Sequence, residues 1–454
     1  MEARIPMSDD KSKTMPEPMP EPMSKSMPMP LPGHQMALLL LVLAYALSIA
    51  DRMIISILFV PIKTEFGLTD GQLGLLGGLS FALLYATLGV PIARQADRGS
   101  RKLIIIASLS IFSLMTAMSG LATGFMMLVL FRIGVGIGEA GVNPASQSIV
   151  ADYFPPHRRS FAMSILALGA NIGMILGFML GGYVSQTYGW RAALFVVGAP
   201  GLLLAFVMFF LFREPPRGSF ENDRMETPPP VPVSAKFMWN NKAIRHLMAG
   251  ATIAVGLSYG MGQWLPSFYT RNHGLDQTQI GLLMGLFFGI LGAAGALLGG
   301  KLADRLSLTG LHKITNMLAV VGVMTIPFSI ASFMTGNLTI ATVIFIIPVF
   351  FSNFYLGPVL SLTQTLSPVP MRAVVAALKM LVMNLIGGGL GPLVVGLISD
   401  ALTPHFGDNA LRISLSIASL AGIWAAFHFW CCGRALLARD QATQGGDNAT
   451  DKSL

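Results

Sequence analysis

The chain has 454 residues, 53% of them hydrophobic and 11% charged, with a net charge of +8 and a mean hydropathy of +0.65. Soluble domains carry about a quarter of their residues as charges, so this composition excludes an ordinary soluble protein and describes a polytopic membrane protein. The basic residues are spread over short loops and form no aromatic-interleaved stripe, which excludes a nucleic-acid surface, and Cys431-Cys432 offers neither metal-ligand spacing nor a disulfide framework.

Residues 1–35, rich in Pro, Met, Ser, Lys and Glu, can neither bury a core nor sustain a helix and are expected to be a disordered tail. They lack the order of basic region, apolar core and small-residue site that marks a secretory signal. Apolar runs then recur at 36–62, 72–93, 102–122, 125–149, 160–184, 190–212, 244–268, 279–301, 312–334, 338–365, 374–400 and 411–432. Each reaches the ~20 residues that cross a hydrocarbon core, which predicts an all-α membrane protein of twelve transmembrane helices. The long loop 213–243, with its Pro228-Pro229-Pro230, divides them into six-helix bundles over 36–212 and 244–432, followed by a tail over 433–454.

Base gathers after the even-numbered spans (Arg94, Arg98, Arg101 and Lys102 after the second, Arg158 and Arg159 after the fourth), whereas loops after odd spans hold only Lys63, Arg191, Arg271 and Arg412. Both termini, both tails and the 213–243 linker are therefore expected on the cytoplasmic side. A shift of 207 positions aligns 67–98 with 274–305 without a gap, at 14 identities in 32. These include Gly67 with Gly274, Gln72 with Gln279, and Ala96-Asp97-Arg98 with Ala303-Asp304-Arg305. Parallel repeats of six helices place a substrate site at the repeat interface near the midplane.

Asp51 and Arg52 stand inside the first apolar run, where a charge costs roughly 2.5 kcal/mol or more unless it meets a partner or a polar interior. Under the same shift they fall on Ser258 and Tyr259, so the charged pair belongs to one half alone. In the fourth run Arg132 and Glu139 lie seven residues apart, two turns along one face. A polar cluster of Asp51, Arg52, Arg132 and Glu139 is expected, with the carboxylates carrying a coupling proton and the guanidinium groups gripping an anionic head group. Static ion pairs that only fix helix packing are the plainer alternative. Tyr85, Asn143, Tyr259, Trp264, Asn353, Tyr355, Lys379 and Asn384 are candidate linings of the cavity, with an apolar tail pocket in the second half. Lys379 is also long enough to snorkel to an edge. Gly136-Ile-Gly138-Glu-Ala-Gly141 spells a dinucleotide fingerprint but lies inside an apolar helical run, where small residues serve packing.

The paired Asp-Arg loops, especially Gly300-Lys-Leu-Ala-Asp304-Arg305, resemble the signature loop of the major facilitator superfamily. Asp51-Arg52, Tyr85-Ala-Thr-Leu-Gly-Val-Pro91, Arg132-Ile-Gly-Val-Gly-Ile-Gly-Glu139 and Ala151-Asp152-Tyr-Phe-Pro155 resemble the Spinster family within it. That resemblance implies the two-bundle superfamily fold and a non-enzymatic, proton-coupled antiporter exporting a lysolipid such as sphingosine-1-phosphate or a lysophospholipid. It implies no cofactor besides the proton, and gate roles for Asp97, Arg98, Arg101, Asp152, Arg158, Asp304 and Arg305. Gly173-Met-Ile-Leu-Gly177-Phe178-Met-Leu-Gly181-Gly182 resembles the antiporter motif, with Phe178 where Pro is usual, though such glycines also suit any tight helix crossing. The partners expected are the lipid substrate, membrane lipids and protons, for a monomer in a bacterial inner membrane. A carrier of small organic anions or drugs is the alternative within the superfamily, and a scramblase or lipid sensor the alternative outside it.

Overall fold

A computed structural model describes residues 29–220 and 229–450, except the side chains of Val90, Ala93, Arg94, Asp97, Asp440 and residues 442–450. The tail expected over 1–35 lies outside the described residues as far as residue 28. From there on the described residues form helices and connections with no strand.

The first half comprises α1 (His34–Ile57, prolonged by Phe59–Phe66), α2 (Asp70–Gly77 and Leu79–Arg98), α3 (Arg101–Ser119), α4 (Phe125–Glu139 and Val142–Tyr153), α5 (Pro156–Tyr188) and α6 (Trp190–Leu211). A short helix, Val231–Asn240, lies within the 213–243 linker. The second half comprises α7 (Lys242–His273), α8 (Gln277–Met284, a π segment Gly285–Leu291, and Gly292–Ser307) and α9 (Leu311–Met334). It continues with α10 (Leu338–Ser352 and Leu356–Leu366), α11 (Arg372–Val382, a π segment Met383–Gly388, and Gly389–Phe406) and α12 (Ala410–Ser419 and Ala421–Thr450). The final helix thus carries on well past residue 432, into the stretch expected as a tail.

Ten stretches are long and apolar enough to cross a membrane by length and composition. One of them, Val369–Arg439, turns back at Gly407 (φ 53°) and is two rods. Lys242–His273 is long enough at 32 residues, but its Gly, Tyr, Gln and Trp residues dilute its hydropathy. Counting both gives the twelve spans that the sequence predicts, in two six-helix bundles.

The internal repeat has a local physical cause. Gly67 and Gly274 end α1 and α7 in the left-handed region (φ 63° and 68°), where an L side chain costs about 1–2 kcal/mol. Two residues on, Thr69 and Asp276 cap α2 and α8, and Gln72 and Gln279 close the same reciprocal capping box. The polar identities at the start of the repeat therefore encode one turn, used twice.

Gly169, Gly173, Gly177 and Gly181 on α5 face Val42, Ala46, Ala50 and Ile54 on α1. A Cβ at Gly177 would sit 2.7 Å from the Ala50 carbonyl oxygen, so these glycines serve a tight helix crossing. The crossing fixes the turn of α1 on which Asp51 and Arg52 stand.

Candidate functional site

Adjacent residues on a helix point about 100° apart, so Asp51 and Arg52 approach α4 at different angles and depths. Two crossed ion pairs result. Asp51 accepts from Arg132 Nη1 at 3.2 Å and from the Thr116 hydroxyl of α3. Glu139 Oε2 accepts from Arg52 Nε at 2.5 Å and from Ser48 Oγ at 2.8 Å. Asp51, Arg132 and Glu139 are only 1–2% exposed. Glu139 Oε1 and Arg132 Nε in the cluster are buried and have no hydrogen-bond partner among the described residues. The Arg52 guanidinium lies 4.4 Å from the Tyr85 ring and 4.7 Å from that of Phe81, beside two rings that stack on each other at 5.1 Å and hold it by cation–π attraction.

The cluster is built from side chains of α1, α3 and α4, with α2 packed on its arginines through Phe81 and Tyr85. Beside it a small cavity between the halves is lined by Arg52, Phe81, Tyr85, Tyr259, Asn384 and Gly388. Tyr259, the repeat counterpart of Arg52, lies across that cavity from it. On the other side of α7 a second cavity of about 110 Å³ lies within the second half. Its wall is mainly apolar, with Leu257, Met261, Phe351 and Phe429, relieved by Ser258 and Tyr355.

Other candidates from the sequence lie elsewhere. Trp264 lines neither cavity: it is fully buried, donates its indole N–H to the Pro392 carbonyl at 2.8 Å and packs on Phe59. Asn143 accepts a hydrogen bond from Gln147, and Asn353 ends the first segment of α10 beside Gly292. Lys379 is 4% exposed within the second half, so it does not snorkel to an edge, and no hydrogen bond or ion pair of its ammonium is found among the described residues.

At the end of the bundle nearest the chain termini, Arg101 is buried and binds Asp152, Ser148 Oγ (3.0 Å) and Glu214 (3.0 Å). All belong to the first half, which this cluster ties together across α3, α4 and the residues after α6. Burial alone would raise the Glu214 carboxyl, but hydrogen bonds from Ser100, the Arg101 side chain and the Arg101 and Lys102 backbone outweigh it and hold it below the usual carboxylate range. Arg98, Arg158, Asp304 and Arg305 are exposed. The Asp97 side chain lies outside the described residues. Among the described residues, no side-chain hydrogen bond or ion pair joins the halves at this end.

The opposite end is closed, by residues that the sequence reading passed over. Asp70 at the start of α2 accepts both terminal nitrogens of Arg271 at 2.7 and 2.8 Å, Lys63 at 2.5 Å and Ser399 at 2.7 Å. Asp400 in return accepts the backbone N–H groups of Asp70 and Gly71 at 2.8 and 2.7 Å. Gly74 and Gly78 of α2 sit directly against the α11 backbone at Pro392 and Gly389, and Gly281 of α8 against α5 at Phe178. The available sequence signal was the rarity of base on this side: Lys63 and Arg271 are two of its four basic residues.

Two six-helix bundles latched together by polar contacts at one end, with buried charge pairs beside a cavity between them, define a membrane transporter. A family model of the Major Facilitator Superfamily matches residues 41–392. The chain belongs to that superfamily. It is similar to an MFS-type efflux pump of Mycolicibacterium smegmatis, 29% identical over 394 residues, 86% of this chain and 90% of that protein. It is also similar to protein spinster homolog 1 of Homo sapiens, 27% identical over 423 residues, 85% and 78% of the two chains. Among solved structures it matches a bacterial homolog of the human lysosomal transporter Spinster in an inward-facing, unoccupied conformation, with a TM-score of 0.82 and 29% identity. That match covers 90% of this chain and 98% of the other. The Spinster resemblance of the sequence is thereby borne out.

Proposed function

We infer that the protein is a proton-coupled secondary transporter that exports an amphipathic anionic lysolipid by alternating access. The observation that carries this reading is the placement of Arg52: one edge bound to buried Glu139, the other lining a cavity between the halves. A phosphate or carboxylate entering there competes with Glu139 for the guanidinium. Glu139 without its counter-charge is a buried, unpaired carboxylate, and taking up a proton removes that charge. Head-group binding and protonation are thus linked through one side chain. Asp51 and Arg132 form the second pair of the relay, and the apolar cavity beyond α7 suits an acyl chain.

Both termini lie in the cytoplasm of a bacterial inner membrane on this reading, the state described is open inward, and the transporter acts as a monomer. Export against a lipid gradient calls for exchange with a proton moving in. The exposed Asp304, Arg305, Arg98 and Arg158, with Asp97, are the groups that draw the cytoplasmic ends together in the alternate state.

The test is uptake of a labelled lysosphingolipid phosphate into proteoliposomes under pH gradients of either sign, for wild type and Glu139→Gln. A gradient that drives accumulation in wild type and not in the variant supports the reading, and the effective sign identifies exchange. Lipid movement that ignores the gradient in both proteins refutes proton coupling. Absence of lipid movement, with small organic anions carried instead, refutes the lipid assignment.

A further inference from the structure

Helices α7 and α12 meet along a seam in the second half, at Gly250 and Phe429. Next to that contact His246 and His428 share an Nδ1···Nδ1 hydrogen bond of 2.9 Å, with the Trp424 ring against His428. Toward the chain-terminal end, the Arg245 guanidinium lies 5.8 Å from the ring of Trp239 in the linker helix, and that of Arg434 lies 5.2 Å from the ring of Trp430. The three indoles are 70%, 60% and 45% exposed at Trp239, Trp424 and Trp430.

Charge sets this patch apart from an ordinary aromatic belt. No Asp or Glu occurs between residues 229 and 275 or between 409 and 439, so neither α7 nor the described side chains of α12 offer Arg245 or Arg434 a carboxylate. Neither arginine forms an ion pair among the described residues. The histidine pair adds donors of its own. With each Nδ1 committed to the other ring, two neutral imidazoles leave one Nε2–H and one Nε2 lone pair, and one added proton leaves two Nε2–H groups. In either state the pair offers at least one donor. Exposed tryptophans are enriched at head-group depth, and base beside them between transmembrane helices, with no carboxylate partner among the described residues, suits lipid phosphate.

We propose that the α7–α12 seam binds the head group of a net-anionic glycerophospholipid of the phosphatidylglycerol type, held as a resident lipid apart from the transported molecule. Arg245, Arg434 and the His246–His428 pair supply the donors, and Trp239, Trp424 and Trp430 flank the glycerol and upper acyl region. A zwitterionic lipid brings an ammonium that meets the same two arginines, so it binds less well.

The experiment is native mass spectrometry of the full chain released from nanodiscs that contain equal phosphatidylglycerol and phosphatidylcholine of matched chains. Wild type is expected to retain phosphatidylglycerol selectively. The double variant Arg245→Gln, Arg434→Gln should lose retention roughly tenfold or more, at about 1 kcal/mol per cation. Arg245→Lys with Arg434→Lys, which keeps both charges, should hold most of it, and Arg52→Gln should leave it unchanged. Equal retention of the two lipids overturns the proposal, as does a glutamine double variant that binds like wild type. Loss of the lipid in Arg52→Gln places it in the cleft between the halves and equally overturns the seam site.

Discussion

The hub at Asp70 makes the opening of the closed end a measurable free energy. Asp70→Asn keeps the side chain's shape and one acceptor oxygen, but turns an N–H pair toward Arg271 where a carboxylate oxygen stood. Removing one partner of a buried pair costs about 3–5 kcal/mol. The Arg271 side chain is 17% exposed and water can reach part of it, so the low end, about 3 kcal/mol, applies. Lys63 is excluded from this figure, because it reaches Asp70 from the same half and its side chain is 35% exposed, where screening leaves about 0–1 kcal/mol. Arg271 and Ser399 come from the other half, so the loss falls on the closed arrangement alone. About 3 kcal/mol is roughly a hundredfold in the equilibrium, enough to bring a closed end favoured 100 to 1 near parity. Spin labels at the exposed Thr64 and His405, in a background without Cys431 and Cys432, report the separation of the halves at this end by pulsed dipolar spectroscopy. The variant should show a second, longer distance at comparable weight. A distribution identical to wild type refutes the assignment of this hub as the latch, because the remaining Asp400 and glycine contacts would then suffice.

Three further outcomes follow from the local geometry. Gly177→Leu forces a side chain into the Ala50 carbonyl at the α1–α5 crossing, so it should lower the unfolding midpoint by an overpacking cost of about 1–3 kcal/mol or more and disturb Asp51 beside it, read as lost transport in whatever protein folds. Glu214 has its folded value held below the ordinary carboxylate value of about 4.3, so the stability it contributes is present above that pH and lost as pH falls through the lower folded value. In thermal scans in detergent, the gap between wild type and Glu214→Gln should stay constant from about pH 8 to 5 and shrink below about pH 4. Thr69→Ala and Asp276→Ala each break one capping box and should each cost about 1 kcal/mol in urea or thermal unfolding, with similar size because the two turns are copies.

Spans, halves and the existence of an intramembrane charge cluster are legible in the sequence because each is a violation that composition makes visible: twelve apolar runs, a repeat whose polar positions coincide, and acids where hydrocarbon forbids them. Thr116 and Ser48 complete the cluster yet pass unnoticed, since a hydroxyl inside a helix usually bonds back to its own turn, as Ser110 and Thr87 do. Trp264 and Asn384 show the limit from the other direction. Both are polar-edged residues in apolar helices of the second half, and only the packing of α7 on α11 decides that one seals a seam while the other faces a cavity.

The latch was hidden for a different reason. Asp70 begins α2 and Asp400 stands at the end of the apolar run 374–400, positions where a carboxylate costs little in water and so leaves no anomaly in the sequence. Assembly of the two halves takes Asp70 to 1% exposure, and only then does it need Arg271 and Ser399. This contrast bears on how the molecule divides its work. Turn chemistry and capping are duplicated in both halves. The Asp51–Arg132 and Arg52–Glu139 pairs are confined to the first half, with Ser258 and Tyr259 at the repeat positions in the second. A second copy of the cluster in the other half would give the cavity two charged walls, and closing it would oblige both to be desolvated together. With the charge confined to one half, Arg52 faces the uncharged Tyr259 and Asn384 across the cavity, and closing the halves brings no second charged group against it.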